Sequence, residues 1–312
     1  MIKVIQYDQS KELAWNEFVE KSKGSHFMFM RNFIEYHADR FLDSSLMFYD
    51  QKERLIALLP ANRSENILYS HQGLTFGGLI VDPKITAPDV ISIFESLLMF
   101  CKNENVERMI YKKMPDFYSG TFAQDDLYAL FRCGAKLFRR DLNSTVDLTL
   151  PYSYSKGRKW AVNKAKKESI EIVGSDNFDL FWPVLIDVLS RHDATPTHTV
   201  EEINKLNALF PENIKLFLAV RKGVVLAGTV LFITKHVVHT QYMATTEEGK
   251  DVGALDYLIS HLMKDEYSSR HYFNFGISTE QAGTVLNEGL LAQKNAFGAK
   301  STVHDFYEIN IQ

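Results

Sequence analysis

The chain has 312 residues, a hydrophobic share of 46% and a formal net charge of −4, values typical of a globular protein with a substantial core. The weak negative charge gives no global attraction for DNA, and no stretch is long and apolar enough to span a bilayer. The amino-terminal segment lacks the apolar core of a secretion signal. We therefore expect a soluble cytoplasmic protein that binds no DNA and has no integral membrane segment.

The two cysteines, Cys101 and Cys133, both lie in apolar surroundings. Neither belongs to a CxxC pair or to a metal-ligand spacing. We expect reduced, structural thiols and no bound metal.

The first half of the chain has the pattern of a mixed α/β domain. Its periodicity predicts the following elements in chain order: a strand at residues 2–7, helices at 11–21 and 31–41, strands at 45–50, 54–64 and 67–81, a helix at 88–103, a strand at 107–115, and a helix and strand separated by Gly134. Gly73, Gly77 and Gly78 fall inside the strand predicted at 67–81. Glycines in a strand more often mark a bulge or a close backbone approach than a phosphate cradle, so the pattern favours the structural interpretation.

A basic segment at residues 151–167 marks the predicted boundary between a domain at 1–150 and a domain at 151–312. It contains no acidic residue, and its cations are Lys156, Arg158, Lys159, Lys164, Lys166 and Lys167. On a helix, Lys159, Asn163 and Lys166 or Lys167 share one face. Two interpretations stay open: a solvated helix face, or a site that receives phosphates or a polyanion.

The second half repeats this order of elements. The pattern predicts a strand at 170–174, helices at 176–189 and 200–210, three strands between 216 and 246, a helix at 252–264 and a strand at 272–275. A last helix, with Leu286, Leu290, Leu291 and Phe297 at helical spacing, ends at Gly298 and is followed by a strand at 304–311. The polar loop at 190–199 offers His192, Asp193 and His198 as a possible lid.

Polar side chains gather where the strand at 272–275 stops. We expect Asn274, Gly276, Ser278, Asn287, Gln293 and Lys294 near this strand end. Ligand sites of α/β folds commonly lie beyond such ends, so this is the predicted working end of the chain.

The two halves can be aligned along their length. SLMFYDQKERLIALLPA matches LFLAVRKGVVLAGTVLF, NILYSHQGLTFGG matches VVHTQYMATTEEG, and ERMIYKKMP matches RHYFNFGIS. The sequence CGAK precedes the last strand of the first half, and FGAK precedes that of the second. A repeat of roughly 160 residues indicates duplication of one α/β unit.

With these matches, the chain resembles the GNAT acyltransferase fold in tandem and, more closely, the Fem-type peptidyltransferases and the wider FemAB-like N-acyltransferase family. The segments that carry the resemblance are GRKWAVNKAKKESIEI, LAGTVLF, HTQYMATTEEGK and FNFGIST…LNEGLLAQKNAFGA. The resemblance implies an α/β (α+β) protein of two tandem GNAT-like domains, each with a mixed, mostly antiparallel sheet flanked by helices. The absence of a heptad stretch resembles the branch without a coiled-coil arm.

The resemblance also implies a function. Members transfer an acyl or aminoacyl group from acyl-CoA or aminoacyl-tRNA, used as a co-substrate rather than a tightly bound cofactor. The acceptor would be an amine of a sugar, an amino acid or a cell-envelope precursor, and tRNA is a possible partner. The alternative is a catalytically silent tandem-GNAT protein that binds a ligand and serves as a scaffold.

Catalytic and binding roles follow from the same resemblance. Lys294 matches the helix lysine that Fem-type enzymes present to their site, where it could stabilise an oxyanion or a donor phosphate. Arg158 and Lys159 resemble the basic residues that bind substrate phosphates. His239 and Tyr242 could be base and acid. Alternate strand residues point to opposite faces, so at most one of these two faces the site unless a bulge intervenes.

The chain departs from the acetyl-CoA-binding pattern at residues 248–254. Gly249, Lys250 and Gly253 are the candidate phosphate contacts, but Asp251 stands where a glycine is expected. Carboxylates are poor neighbours for a pyrophosphate, so we expect Asp251 to cap the helix and acetyl-CoA to bind weakly.

Overall fold

The computed structural model describes residues 2–311, which form two compact units. The first unit comprises the chain up to Asp141, residues Gln281–Thr284 and the chain from Val303 onward. The second comprises Leu142–Glu280 and Val285–Thr302. The domain boundary predicted after residue 150 remains a prediction.

The strands range from two to twelve residues in length. Their bounds are β1 (Lys3–Gln6), β2 (Leu42–Asp43), β3 (Leu46–Tyr49), β4 (Leu55–Leu59), β5 (Asn62–Ser64), β6 (Ile67–Tyr69), β7 (Ile80–Val81), β8 (Arg108–Lys112), β9 (Lys136–Asp147), β10 (Glu171–Ser175), β11 (Ile214–Arg221), β12 (Val224–Ile233), β13 (Val237–Thr245), β14 (Tyr272–Ile277), β15 (Thr279–Glu280), β16 (Val285–Leu286) and β17 (Lys300–Asn310).

Helices separate these strands in both units. They are α1 (Glu12–Lys21), α2 (Arg31–Ile34), α3 (Ala87–Asn103), α4 (Asp125–Arg132), α5 (Lys156–Ala165), α6 (Trp182–Ser190), α7 (Val200–Leu209), α8 (Glu247–Val252), α9 (Ala254–His261) and α10 (Glu288–Asn295), with short 3-10 turns at Gln9–Lys11, Phe27–Phe29, Glu35–His37, Asp116–Tyr118 and Phe178–Leu180 and a π-helical turn at Leu262–Glu266. Within residues 2–311, every helix is too short or too polar to cross a bilayer.

In the first unit, β1, β3, β4 and β7 form an antiparallel sheet in that order. The strands β2, β5, β6, β8 and the end of β17 follow one another in a second group, in which β6 and β8 run parallel. Helix α3 begins at a capping box made by Thr86 and Asp89, which satisfies otherwise unpaired N–H groups of its first turn. Its buried side chains, with Phe94 and Cys101 among them, join the core of this unit.

In the second unit, β10, β11, β12, β13, β14 and the end of β9 follow one another, and β13 and β14 are the parallel pair. One core cluster unites Val238 and Phe273 of these strands with Leu258 of α9. His239 and Asn274 alternate with the first two residues and therefore face the other side of the sheet. The parallel pair β6 and β8 of the first unit and the parallel pair β13 and β14 of the second are formed by segments that match in the sequence repeat. This agrees with duplication of one α/β unit.

Three predicted elements of the first half are wrong in detail. The helix at 31–41 is only α2 followed by a 3-10 turn. The strand at 54–64 divides into β4 and β5 on either side of Pro60, because a proline has no N–H for the sheet ladder. The strand at 67–81 is β6 and β7 with a loop between them, in which a Cβ added to Gly77 would lie 1.9 Å from the Ser70 carbonyl oxygen. This close backbone approach agrees with the interpretation favoured for the glycines.

Two helix predictions of the second half also need correction. The helix at 252–264 is α8 and α9, which are broken at Gly253 in the left-handed conformation (φ 75°). Leu286 belongs to β16 rather than to the last helix. That helix starts later because Asn287 caps it, its Oδ1 accepting the Leu290 N–H at 2.9 Å.

Candidate functional site

The parallel strands β13 and β14 part after a short paired stretch. Their register joins residues 237–239 to residues 272–274, ending at His239 and Asn274. Beyond this point β13 continues beside β12, and β14 turns at Gly276 (φ 73°). A Cβ added to Gly276 would have one neighbour within 4 Å, the His239 Cε1 at 3.4 Å, so there is room for a methyl-sized group beside the turn. The strands therefore leave a gap at the strand end that the sequence predicts as the working end.

Asn274 is fully buried at the head of this gap, and its hydrogen bonds fix its orientation. Its Nδ2 donates to Asn143 Oδ1 at 2.9 Å and to Thr145 Oγ1 at 2.8 Å. Its Oδ1 accepts the Gly276 N–H at 3.1 Å and lies 2.6 Å from His239 Nδ1. Because Oδ1 can only accept, Nδ1 of His239 must carry a proton, and the lone pair of the neutral ring lies on Nε2.

His239 is neutral at physiological pH. Burial lowers its pKa to about 4; the hydrogen bond to Asn274 opposes this change, and the charge of Lys294 adds to it. A neutral imidazole with Nε2 unprotonated accepts hydrogen bonds from an N–H group.

Lys294 lies in the same region, as the sequence predicts, and its side chain is 4% exposed. Its Nζ donates to the carbonyl oxygens of Gly276 at 3.1 Å and Ile277 at 2.5 Å. These bonds use two of the three N–H groups of an ammonium. Burial lowers the pKa of Lys294 to about 8, so a positive charge is still present at neutral pH.

A bulge in β13 changes which residues share a face. Phe232 pairs with His239 and Val230 pairs with Tyr242, leaving Gln241 as the extra residue. Because Phe232 and Val230 point to the same side of β12, His239 and Tyr242 also lie on one face. A bulge thus intervenes between His239 and Tyr242, and both side chains face the same side of the sheet.

Tyr242 is nevertheless held at some remove from the gap. Its hydroxyl oxygen accepts the His198 N–H at 3.1 Å and lies 2.7 Å from His198 Nδ1, and its ring packs edge-on against Trp182 at 5.6 Å. Burial raises the pKa of Tyr242, which keeps the hydroxyl protonated. The hydroxyl group of Tyr242 thus contacts His198 of the polar loop.

The remaining polar residues of the strand end have mainly structural contacts. Ser278 is buried; its N–H donates to the Leu142 carbonyl at 2.7 Å and its carbonyl accepts the Asn287 N–H at 2.9 Å. Asn287 is occupied as the cap of α10 and also donates to Glu280. Gln293 is exposed on α10. The roles predicted for these three side chains stay predictions.

Arg158 and Lys159 differ in their surroundings. Arg158 forms an ion pair with Asp256, and its guanidinium lies 4.6 Å from the centre of the Phe297 ring. Its charge is therefore neutralised within the unit, which argues against the free phosphate ligand that the sequence predicts. Lys159 is exposed and lines a separate cavity beside α9.

Gly249 and Gly253 serve close packing. A Cβ on Gly249 would lie 2.3 Å from the Leu226 carbonyl oxygen, and one on Gly253 would lie 2.6 Å from the Ala161 carbonyl oxygen. The Gly249 N–H is already bonded to Thr246 Oγ1, the cap of α8, at 3.0 Å. Both glycines thus serve close packing, and their predicted role as phosphate contacts stays a prediction.

Charged residues of α8 are likewise engaged by the chain itself. Glu247 pairs with Arg191 and with Lys250, and Glu248 pairs with Arg221. Asp251 lies inside α8, so the expectation that it caps a helix is wrong; Thr246 occupies that position.

Asn143, Gln241 and His198 were not predicted as part of this site, although His198 was noted in the polar loop. The sequence feature that could have identified Asn143 is a run of polar residues, Asn143 to Thr145, inside a predicted strand. Buried polar residues in strands require partners, and these partners lie in β14.

Comparison with known proteins finds similarity of structure only: no family model and no curated protein sequence matches the chain. The structure of FemX is similar over 99% of this chain and 97% of its own, with a TM-score of 0.69 and 11% identity. L-PGS from Bacillus licheniformis is similar over 98% of this chain and 93% of its own, with a TM-score of 0.64 and 12% identity. The fold is that of the tandem GNAT-like proteins.

A tandem GNAT protein from the clavulanic acid biosynthesis pathway agrees, covering 100% of this chain and 99% of its own at a TM-score of 0.50 and 12% identity. These likenesses confirm the predicted fold class and, at the level of fold, the resemblance to the Fem-type branch. At sequence identities of 11% and 12%, these similarities are evidence for the fold alone.

Proposed function

We propose that the chain is an acyltransferase that moves an acyl or aminoacyl group to an amine at the gap between β13 and β14. The observation that carries this proposal is the pairing of a neutral imidazole with a buried ammonium. His239 has an unprotonated Nε2, and Lys294 supplies a positive charge close enough to lower the His239 pKa. The fold shared with FemX, L-PGS and a tandem GNAT protein supports acyl transfer as the reaction class.

The chemistry assigns one task to each side chain. The acceptor nitrogen attacks the carbonyl carbon of the donor, and its proton passes to His239 Nε2. The negative charge that develops on the carbonyl oxygen is stabilised by Lys294. When the tetrahedral intermediate collapses, the bond from the carbonyl carbon to the sulfur or ester oxygen of the donor breaks, and the leaving thiolate or alkoxide takes up the proton held by His239. Asn274 acts as a positioning residue, because its Oδ1 holds the His239 tautomer that leaves Nε2 free.

The contacts of α8 favour a donor other than acetyl-CoA. The helix is capped by Thr246, whose Oγ1 accepts the Gly249 N–H, so this N–H is not available to a pyrophosphate. An aminoacyl ester of tRNA does not require this position to bind a pyrophosphate. We propose an amine of a sugar, an amino acid or a cell-envelope precursor as the acceptor.

The test is a transfer assay with two donor classes. The purified protein is incubated with a pool of amines and either acyl-CoAs or charged tRNAs, and products are detected by mass spectrometry. We expect a product that wild type forms and Lys294→Met forms far more slowly. The alternative is a silent scaffold, and the observation in its favour is that Thr246 already occupies the start of α8. It would be supported if neither donor class gave a product and the protein bound a nucleotide-sugar or a peptide tightly.

A further inference from the structure

A second feature of the second unit is a cavity of about 230 Å³ beside α5. On the α5 side, Val162 lines the cavity together with three polar residues, Lys159, Asn163 and Lys166, which are spaced four and three residues apart. This spacing puts the three side chains on one face of the helix. Of the two lysines that the sequence allows on this face, Lys166 and not Lys167 lines the cavity. The basic helix therefore borders a cavity rather than a flat surface.

The opposite wall comes from α9 and the π-helical turn that follows it. His261, Lys264 and Asp265 line this side. The Lys264 ammonium lies 4.3 Å from the centre of the Tyr154 ring, and the ring forms part of the floor. A π-helical turn adds one residue to a helical turn, and such turns are frequent at functional sites. Here it is the turn that carries Lys264 and Asp265.

The charges around the cavity do not balance. In residues 2–311, Lys159, Lys166 and Lys264 have no carboxylate within 4.0 Å. Asp265 is the acidic residue of the lining, and it lies 3.1 Å from His261 Nδ1. All three lysines are exposed and line the same cavity, so a bound anion would gain favourable charge interactions from both walls.

We propose that this cavity binds a diphosphate or another closely spaced pair of phosphate groups. The lysines supply positive charge from both walls, and Asn163 and Ser260 supply neutral hydrogen-bond donors. The site lies apart from the acyl-transfer gap, since α9 packs on the face of the sheet that His239 does not occupy. The proposal does not rest on the proposed function.

The experiment is calorimetric titration of the full chain with inorganic pyrophosphate at low salt. One variant, Lys166→Ala/Lys264→Ala, removes a cation from each wall. The matched control, Lys156→Ala/Lys167→Ala, makes the same change of net charge at exposed lysines of the same segment that do not line the cavity. A third variant, Asn163→Asp, places a carboxylate in the cavity and keeps the side-chain size.

We expect the cavity variant to bind pyrophosphate about tenfold more weakly, the scale for losing two partly exposed ion pairs, and the control to stay within about twofold of wild type. Asn163→Asp should weaken binding as well. Equal losses in the cavity variant and the control would overturn the proposal in favour of general charge attraction. Binding of a short RNA hairpin without any binding of pyrophosphate would overturn it in favour of a nucleic-acid surface.

Discussion

Lys294→Met removes the buried ammonium and leaves a side chain of similar length. The lowering of the Lys294 pKa from 10.5 to about 8 corresponds to about 3 kcal/mol of unfavourable free energy for the charged form in the folded state. Methionine relieves this cost. Against this, the carbonyl oxygens of Gly276 and Ile277 lose their donor, at about 1 kcal/mol each. We expect the free energy of unfolding at pH 7 to change by about 1 kcal/mol or less.

The pH dependence of stability separates the two proteins more clearly. Between about pH 8 and pH 10.5 the folded wild type releases the Lys294 proton while the unfolded chain still holds it. Unfolding therefore takes up protons, and the stability contributed by this group rises with pH by about 3 kcal/mol across the interval. Lys294→Met lacks this rise. Denaturant titrations of both proteins at pH 7 and pH 10 measure the difference.

Activity provides the second measurement on the same variant. Loss of one charge that stabilises an oxyanion lowers turnover by about 100-fold. Lys205→Met is the matched control, because Lys205 is an exposed helix lysine of α7 and should change neither stability nor turnover. The reasoning fails if Lys294→Met keeps full activity, or if its stability follows pH in the same way as that of wild type.

Three further outcomes follow from the geometry. Acetyl-CoA should bind with a Kd no better than about 1 mM, because the α8 terminus is filled by Thr246; micromolar binding by calorimetry would contradict this. Arg158→Ala should lower the free energy of unfolding by about 1–3 kcal/mol, since Asp256 loses its cation, and an unchanged denaturation midpoint would refute the structural role. Asn274→Asp should raise the pKa of His239 in an NMR titration, because a carboxylate favours the charged ring; an unmoved pKa would contradict the contact.

Periodicity predicted the long elements well because their local and tertiary requirements agree. Helix α3 has apolar residues at helical spacing, and a capping box fixes its start. The break between α8 and α9 could not be predicted in this way. Glycines occur both in phosphate loops and at helix ends, and only the structure shows that Gly253, in the left-handed conformation, ends α8.

Part of the site was visible in the sequence and part was not. Asn274 and Lys294 lie within one segment, so strand and helix patterns place them together. Asn143 lies 131 residues before Asn274, and its side chain enters the site because β9 pairs with β14. A pairing over that distance leaves no local signal. The bulge at Gln241 was equally hidden, since it depends on the register between two strands.

The repeat raises the question of why the second unit carries the proposed chemistry. In the first unit β6 and β8 form the corresponding parallel pair, and the loop after β6 returns to fill the space beside it. Lys112 donates to the carbonyl oxygens of Gln72 and Leu74 at 3.1 and 2.7 Å, and the Gly77 N–H donates to the Lys112 carbonyl at 3.3 Å. The lysine of this pair is thus used to fasten the loop.

The same position in the second unit is less crowded. There β13 continues along β12 instead of folding back, so the loop that would fill the gap lies elsewhere. A Cβ at Gly77 would meet the Ser70 carbonyl oxygen at 1.9 Å, whereas one at Gly276 would touch only His239 at 3.4 Å. The acyl donor needs room next to the general base and next to the residue that stabilises the oxyanion. Only where the strands part without refilling the gap can His239 and Lys294 meet a substrate, and this is why we assign the reaction to the second unit.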